Sequence, residues 1–298
     1  MALVTMKALL HQAQDAGRGV GAFNVGNMEM VMGAIRAAEE CGVPVILQIA
    51  EKRMKHSPLS LMAPMMVSAA KNAKVDIALN LDHGLSMDVV QQALDYGFTS
   101  IMFDSSECSF EENIRRTQTV VELCAKYGAT VEAELGLVGG SEDGSEDHGI
   151  RCTNPDDAEI FCRETGIDCL AVAIGNAHGN YPVAPRLAFD VLEEIRNRCA
   201  PLPLVLHGGS GISDADFRKA ISLGIVKLNI ATASFNRLTK RAGEYLHTDG
   251  AHDYFGLNEA MVQGVYENVK HHIDVFTCVK PLSEIGNLDE PTWTVGKI

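Results

Sequence analysis

An eightfold alternation of short apolar runs with longer amphipathic runs limits how this chain can fold more than any other feature of its sequence. The short runs are apolar on both sides, which is typical of parallel strands buried between helices. Strands are expected over residues 21–25, 44–49, 77–81, 100–103, 130–135, 169–174, 203–206 and 226–230. Helices are expected over residues 28–41, 59–73, 87–96, 111–127, 155–165, 188–198, 214–223 and 234–246. Eight β-then-α units predict an α/β fold, a TIM (β/α)8 barrel.

A doubly wound open sheet is the alternative arrangement of alternating strands and helices. It is disfavoured because the count reaches eight and no Gly-x-Gly-x-x-Gly run follows the first strand. No linker or low-complexity segment interrupts the units, so residues 1–298 are predicted to form a single barrel domain. An additional helical run, 257–279, and a turn-rich tail follow the eighth unit, and we interpret 257–298 as a C-terminal appendage.

The charge and cysteine content restrict the possible partners. The formal net charge is −14 and no basic run is present, which argues against binding nucleic acid or an anionic membrane surface. No apolar stretch approaches the roughly 20 residues of a membrane span, and no secretion signal is recognisable. The 8 cysteines form no Cys-x-x-Cys pair, as expected for reduced thiols. We therefore expect a cytoplasmic protein that acts on a small molecule.

Three of the apolar runs end on a histidine inside a glycine- or acid-rich turn. These are His83, His178 and His207, at the ends of predicted strands three, six and seven. The carboxyl ends of barrel strands share one rim, where active sites are built. Three neutral imidazoles and an open position are how a catalytic zinc is held, whereas histidines in unrelated turns would not share equivalent strand ends. The histidines expected to be solvated are His11, His56, His247, His252, His271 and His272.

Acidic residues lie at the same rim. Asp82 precedes His83, where a proton-transfer group is useful, and Asp104 ends strand four. Glu132 and Glu134 alternate along strand five and so point the same way. Charged side chains in buried strands need a charged partner or a metal. A structural hydrogen-bond network to loop amides is the alternative for these acids.

One connection, over residues 136–153, is far longer than the others. It is rich in glycine and acidic residues and has little to bury. Long βα loops in compact domains are usually functional lids or disordered segments. Because this loop follows the fifth strand and lies on the active face, it is predicted to be a mobile lid.

A phosphate site is predicted at the seventh and eighth strands. The run 208–211 follows His207 and leads into a helix that begins near Asp214, and strand eight ends in the run 229–232. TIM barrels often hold a phosphate between these two loops, using backbone amides and a helix N-terminus. The residues expected to contribute are Gly208, Gly209, Ser210, Asn229 and Thr232.

Together these runs resemble the class II, zinc-dependent ketose-bisphosphate aldolases, the group of fructose- and tagatose-bisphosphate aldolases. The resemblance extends from residue 22 to about residue 232, and its motifs stand in the family's order. The motifs are Leu81-Asp82-His83-Gly84, Val131-Glu132-Ala133-Glu134-Leu135-Gly136, Gly139-Gly140-Ser141-Glu142-Asp143, Ala177-His178-Gly179, His207-Gly208-Gly209-Ser210-Gly211 and Lys227-Leu228-Asn229-Ile230-Ala231-Thr232. The resemblance implies aldol cleavage or condensation of a ketose 1-phosphate or 1,6-bisphosphate, with dihydroxyacetone phosphate and an aldehyde as the two halves.

The resemblance also implies roles for particular residues. It implies one catalytic Zn²⁺ per subunit, with a monovalent cation as a further candidate cofactor. Asp82 is implied to handle the proton on the aldehyde oxygen, and Glu142 to move the proton at the carbon that becomes nucleophilic. Asp104 and Glu134 match an alternative position of the metal. The implied metal ligands are His83, His178 and His207. The residues expected to bind the substrate are Asn24, Gly179, Gly208, Gly209, Ser210, Asn229 and Thr232.

A Schiff-base lysine is not required by this chemistry, and Lys227, at the start of strand eight, is expected on the opposite rim. We expect a homodimer or a homotetramer. A metal-dependent sugar-phosphate epimerase or isomerase on the same barrel is the alternative function, although a simple proton transfer needs no acid at Glu142. A non-catalytic binding protein is a third hypothesis, which the complete set of catalytic residue types disfavours.

Departures from the family pattern concern the substrate. Pro182 replaces a lysine that follows the Ala-His-Gly motif in many members, and Ala231 replaces an acid that reads a sugar hydroxyl. Phe235 stands where an arginine for the distal phosphate would be. The pattern at strand eight is nearer the tagatose-type branch, so fructose 1,6-bisphosphate is expected to be a poor substrate. Arg53 and Arg237 are candidate replacement cations, although both fit solvated surface positions.

Overall fold

A closed barrel of parallel strands forms the centre of the computed structural model, which describes residues 2–140, 149–181, 183–248, 250 and 252–277. The strands are Val20–Asn24 (β1), Val45–Ala50 (β2), Ile77–Gly84 (β3), Ser100–Phe103 (β4), Thr130–Leu135 (β5), Gly139–Gly140 (β6), Cys169–Val172 (β7), Ala177–His178 (β8), Leu204–Leu206 (β9) and Ile225–Ile230 (β10). The barrel order is β1-β10-β9-β7-β5-β4-β3-β2, and β6 and β8 form a separate two-stranded sheet. The predicted TIM barrel is confirmed.

Helices cover the barrel wall and its amino end. They are Met6–Asp15 (α1), Met28–Cys41 (α2), Leu59–Asn72 (α3), Met87–Tyr96 (α4), Phe110–Ala125 (α5), Pro155–Thr165 (α6), Phe189–Cys199 (α7), Asp214–Ser222 (α8), Thr232–His247 (α9) and Tyr254–Thr277 (α10). Local signals set several ends. The α2, α4 and α6 helices stop at glycines in the left-handed region, Gly42, Gly97 and Gly166. Among the described residues, no helix is long and apolar enough to cross a membrane.

The α1 helix, which the sequence pattern does not predict, closes the amino end of the barrel. Its buried residues Met6, Leu9, Leu10 and Ala13 pack with the apolar side chains of the lower barrel interior. The helix precedes the first strand, so it belongs to none of the eight β-then-α units. This apolar packing seals the amino end of the barrel.

The α10 helix packs into the barrel wall. It lies against α2, α9, α8 and β1, and it buries an apolar face along its length. The helices approach closely at two glycines: a Cβ on Gly33 would meet the Val262 carbonyl oxygen at 2.6 Å, and one on Gly264 would meet the Arg237 carbonyl oxygen at 2.7 Å. The described part of the expected appendage is therefore integral to the wall. Residues 278–298 lie outside the described residues, and for them the appendage stays a prediction.

The expectation that His272 is solvated is wrong. Its side chain on α10 is buried among three phenylalanines, Phe23, Phe217 and Phe276, with ring centroids 6.4, 5.9 and 5.6 Å away. Its Nδ1 is 2.8 Å from the Asn268 carbonyl oxygen, to which it donates. Burial lowers the pKa of His272 to about 4, so the ring is neutral at ordinary pH.

Candidate active site

Three histidines converge at the carboxyl end of the barrel. His83 lies near the end of β3, His178 in the short strand β8, and His207 directly after β9. The ring centroids are 5.0 Å apart for His83 and His178, 4.8 Å for His83 and His207, and 5.9 Å for His178 and His207. One ring nitrogen from each lies within 4.8 Å of the others. The structure thus brings together all three residues predicted to be metal ligands.

Carboxylates determine which nitrogens of two rings face the centre. Asp104 Oδ2 is 2.8 Å from His83 Nδ1, and Glu132 Oε1 is 2.8 Å from His207 Nε2. An ionised carboxylate only accepts hydrogen bonds, so each of these nitrogens carries the ring proton. The remaining nitrogens, His83 Nε2 and His207 Nδ1, face each other at 2.9 Å. Two lone pairs at this distance repel unless a proton or a cation lies between them, so the donor set fits a metal ion such as zinc.

The environment also keeps two of the imidazoles neutral. Burial is the main cause that lowers the pKa of His178 and of His207 well below the usual value for histidine. The nearby His83 lowers both values further, because a second positive charge in the cluster is unfavourable. Metal ions bind the neutral ring, so this environment prepares both side chains as ligands.

Asp104 and Glu134 form a second cluster that shares His83, with one possible ligand atom from each within 4.8 Å of the others. Burial raises the pKa of Asp104, but the hydrogen bond to His83 and those from Ser106 outweigh it, and the net pKa lies below the usual range. Burial and the charge of Asp104 raise the pKa of Glu134 to about 8. The geometry allows the alternative metal position that the sequence suggests.

Asp82 is fully buried beside the histidines and is held by two amides. Its Oδ2 accepts a hydrogen bond from Asn24 Nδ2 at 2.8 Å, and its Oδ1 accepts one from Asn229 Nδ2 at 3.1 Å. Burial raises the pKa of Asp82, but nearby positive charge, that of His83 first, and the Asn24 hydrogen bond lower it below the usual value. The carboxylate is thus ionised and oriented, as a proton acceptor must be.

Polar side chains inside the barrel continue this network beyond Asn24. Gln48 Nε2 donates to Asn24 Oδ1 at 2.9 Å, and Asn80 Nδ2 donates to Gln48 Oε1 at 3.2 Å. Ser100 Oγ donates to Asn80 Oδ1 at 2.9 Å. Our sequence interpretation missed these residues. Their signal was a lone polar residue inside an otherwise apolar strand, which is costly unless it is hydrogen-bonded.

Lys227 is the clearest correction to the sequence interpretation. Its side chain is fully buried inside the barrel and does not lie at the opposite rim: Nζ is 2.8 Å from Glu132 Oε2 and 2.7 Å from Asn229 Oδ1. The long side chain reaches upward from its position low in β10. Lys227 therefore joins Glu132, which orients His207, to Asn229, which orients Asp82.

The predicted phosphate site corresponds to a small pocket beside the histidines. The pocket is lined by Asn24, Arg53, His178, Gly179, Gly208, Ser210, Asn229, Ala231 and Thr232. Thr232 begins α9, and the N-cap residue Ala231 supplies no capping side chain of its own, so the positive end of the helix borders the pocket. Ser210 Oγ accepts a hydrogen bond from Ala233 N at 2.9 Å, which joins the two loops. Gly208 has φ 61°, and a Cβ there would collide with the Ala177 carbonyl.

Several predicted residues lie elsewhere. Gly209 is behind the pocket, where its N–H donates to the Asn229 carbonyl oxygen at 3.0 Å. Arg237 does not line the pocket, because it is paired with Glu267 on α10. Glu142 lies outside the described residues, as do the other members of residues 141–148 and Pro182.

Tyr181 is a further residue that the sequence analysis missed. Its hydroxyl accepts a hydrogen bond from Ala177 N at 2.6 Å and donates to the Gly208 carbonyl oxygen at 2.9 Å. Asn176 makes a parallel connection, because its Nδ2 donates to the His207 carbonyl oxygen at 3.0 Å. These contacts fix the His178 strand to the His207 loop. Both depend on loop folding, which no local pattern reveals.

Comparisons with known proteins agree with this geometry. The family model described as "Fructose-bisphosphate aldolase class-II" matches residues 4–280. The fructose-bisphosphate aldolase of Geobacillus stearothermophilus is 42% identical over 252 residues, which cover 84% of this chain and 88% of that protein. The fructose-bisphosphate aldolase of Staphylococcus aureus (strain Mu50) is 39% identical over 252 residues, with the same coverage of 84% and 88%. Among solved structures, the YdjI aldolase of Escherichia coli K12 has a TM-score of 0.83 at 36% identity, covering 93% of this chain and 98% of that one.

Proposed function

The chain belongs to the class II fructose-bisphosphate aldolase family, and from that premise we propose a zinc-dependent aldol reaction on a ketose 1-phosphate. Family membership makes the protein a class II aldolase, a carbon–carbon lyase. The donor half in our proposal is dihydroxyacetone phosphate. The observation that supports it most is the pocket itself, because it is bordered both by the metal-type ligand His178 and by the phosphate loops.

In this proposal His83, His178 and His207 hold the zinc ion. When bound, the ion supplies Lewis-acid chemistry, since it stabilises the negative charge that develops at the ketone group during bond cleavage. Asp104 and Glu132 keep two of these rings in the tautomer that binds metal.

Asp82 accepts the proton of the hydroxyl group next to the breaking bond. As that hydroxyl becomes the aldehyde carbonyl, the bonding electron pair passes to the donor half. In condensation Asp82 returns the proton to the new hydroxyl. The amides of Asn24 and Asn229 hold the carboxylate for both directions. Glu142 is proposed to protonate the donor carbon after cleavage and to remove that proton before condensation.

The donor phosphate is proposed to lie against the loops that follow β9 and β10. Gly179 and Gly208 leave room for backbone N–H groups to approach it, and the N-terminus of α9 adds positive potential. Ala231 and Phe235 lack the acid and the cation found in enzymes that use fructose 1,6-bisphosphate. We therefore propose that this sugar is a poorer substrate than its tagatose-type epimer or than a ketose 1-phosphate with a different aldehyde half.

Substitution of Asp82 and His178 tests the reaction and the metal together. Asp82→Asn should keep its zinc, measured by elemental analysis, but lose roughly two to four orders of magnitude in turnover. His178→Ala should lose both zinc and turnover, whereas the exposed His247, changed to Ala, serves as a matched control.

Release of triose phosphate from ketose phosphates is the readout. An enzyme that rearranges the ketose without releasing triose phosphate would instead be an epimerase or isomerase. Full zinc and full turnover in His178→Ala would show that the metal assignment is wrong.

A further inference from the structure

Arg53 lies at the edge of the substrate pocket and stacks on an aromatic ring. It is the last residue of a 3-10 turn, Glu51–Arg53, that follows β2. Its guanidinium carbon is 4.3 Å from the ring centroid of Phe235, in the first turns of α9. Arg53 also lines the same pocket as the phosphate loops. The sequence offered Arg53 as a candidate cation for the substrate, although it fitted a solvated surface position, and the structure places it at the candidate site.

The surrounding segment, residues 51–57, is anchored at both ends. At one end the Glu51 carboxylate accepts hydrogen bonds from Leu85 N at 2.7 Å and from Ser86 N at 3.2 Å, at the start of α4. At the other end Ser57 Oγ donates to the Gly26 carbonyl oxygen at 2.6 Å. The Glu51 carboxylate is therefore held at the start of α4 and does not line the pocket, whereas Arg53 does.

The pocket is suited to an anion. The described residues that line it contribute no carboxylate, although the whole chain carries a net charge of −14. A guanidinium stacked on an aromatic face keeps its planar donor edge directed away from the ring. That edge matches the geometry of a carboxylate or a phosphate, which it binds through two parallel hydrogen bonds. The Phe235 ring thus acts as the platform that positions Arg53.

Arg53 reaches the pocket from the β2 side and packs on Phe235, three residues after the Thr232 end of α9. In the barrel order, β1 and β10 lie between β2, which leads to Arg53, and β9, which leads to the phosphate loop. Asn24, at the end of β1, lines the pocket between these two sides and also holds Asp82. A sugar whose phosphate lies on the β9 side would extend past Asp82 towards Arg53.

We propose that Arg53, positioned by Phe235, binds an anionic group of the aldehyde half, a phosphate or a carboxylate, and so selects anionic aldehydes. This inference rests on the proposed aldol function. It names a specificity residue on the β2 side of the pocket, and the chemistry predicts a preference for acceptors that end in a negative charge.

The test measures condensation of dihydroxyacetone phosphate with three aldehydes: glyceraldehyde 3-phosphate, succinic semialdehyde and uncharged glyceraldehyde. Arg53→Met should lower kcat/KM roughly 10- to 100-fold for at least one of the two anionic aldehydes. The kcat/KM for glyceraldehyde should change less than about threefold, because this uncharged aldehyde has no charged contact with Arg53 to lose. The anionic aldehyde whose kcat/KM falls further identifies the group that Arg53 binds, a phosphate or a carboxylate. Arg53→Lys should recover part of the loss, and Phe235→Leu should reproduce part of it.

Arg237→Met is the matched control, because Arg237 is paired with Glu267 and does not line the pocket. A second measurement follows exchange of the donor's C1 protons with solvent in the absence of aldehyde. The KM of dihydroxyacetone phosphate in this exchange should be the same in Arg53→Met as in the unmodified enzyme. An equal loss for all three aldehydes together with a raised donor KM would assign Arg53 to the donor phosphate and overturn the proposal. Unchanged values for every aldehyde would also overturn it. Absence of condensation in the unmodified enzyme would instead refute the aldol function on which it rests.

Discussion

His83 combines a demanding backbone conformation with a central chemical position. Its φ of 43° is the one positive value among the described residues other than glycine. Such a conformation is strained for a residue with a Cβ and persists where the surrounding structure enforces it. Here the strain accompanies contacts to Asp104 and His207 on either side of the ring. The conformation turns the ring of a residue in β3 towards the shared centre.

The buried ion pair of Lys227 and Glu132 is expected to contribute to the free energy of unfolding. Lys227→Met leaves the Glu132 charge buried beside His207 without its cation. Loss of one partner of a buried ion pair costs about 3–5 kcal/mol, so the free energy of unfolding should fall by that amount. The double variant Lys227→Met, Glu132→Gln should recover part of the loss, which chemical denaturation measures. Lys270→Met, which removes the exposed pair with Glu40, should lower stability far less, because solvent screens an exposed pair. Equal losses in the two lysine variants would contradict this account.

Site residues can be predicted from the sequence where they lie at the end of a barrel strand. His83 and His207 could be predicted because the ends of β3 and β9 meet at one rim of the barrel. His178 reaches the same site from β8, which lies outside the barrel and beyond the predicted end of its strand. The contact of Lys227 with Glu132 could not be predicted, because it depends on the register of β10 and β5, which are not neighbours in the barrel. The sequence offered both Arg53 and Arg237 as candidate cations and could not choose between them, because the contact of Arg53 with Phe235 joins residues far apart in the sequence.

The helices around the barrel meet at glycines, and α10 provides the clearest case. Gly264→Ala should lower the free energy of unfolding by about 1–3 kcal/mol, the usual cost of overpacking. The added Cβ would lie 2.7 Å from the Arg237 carbonyl oxygen and 2.9 Å from the Leu238 Cα, both in the backbone of α9. Gly243→Ala is the matched control, because a Cβ on Gly243, also in α9, meets nothing within 4 Å.

The control variant should be stabilised by about 0.5–1 kcal/mol, since alanine is the better helix former. Thermal and chemical unfolding of the two variants measure both effects. If both variants shifted stability in the same direction, close packing of α9 on α10 would not be the cause.

Element boundaries agree with the sequence patterns to within a few residues, and the exceptions have physical reasons. The β3 strand continues to Gly84 because Asp82 and His83, which resemble a polar turn, are buried in the barrel. The β6 and β8 strands are two residues each and pair only with each other, so no periodic pattern marks them. The α10 helix overlaps the predicted helical run 257–279 and begins three residues earlier, but its place in the wall depends on tertiary contacts at Gly33 and Gly264.

At the scale of the whole molecule, His272 makes stability depend on pH. Its pKa is about 4 in the folded state and about 6.5 when unfolded. Below pH 6.5 His272 binds a proton in the unfolded chain but stays neutral in the folded chain. The stability contributed by neutral His272 is therefore present above pH 6.5 and is lost as the pH falls towards 4. The loss is about 3 kcal/mol by linkage.

His272→Phe should remove this contribution. Denaturation at pH 7 and at pH 4 should show that the unmodified protein loses about 3 kcal/mol more than the variant between the two values. Equal losses would indicate that His272 takes up its proton in the folded state. His271→Phe, at a neighbouring exposed position, provides the comparison for any effect of ring size.

The pairing of β6 with β8 connects the segment that precedes Glu142 to the strand that carries His178. Gly140 pairs with His178, and a side chain at Gly140 would collide with the His178 carbonyl. Glu142 follows two residues later in the chain. Any displacement of β6 is therefore transmitted through backbone hydrogen bonds to a strand that carries a candidate metal ligand. Added bulk at Gly140 would therefore displace the candidate ligand His178, so the proposed roles of Glu142 and His178 are coupled through one backbone contact.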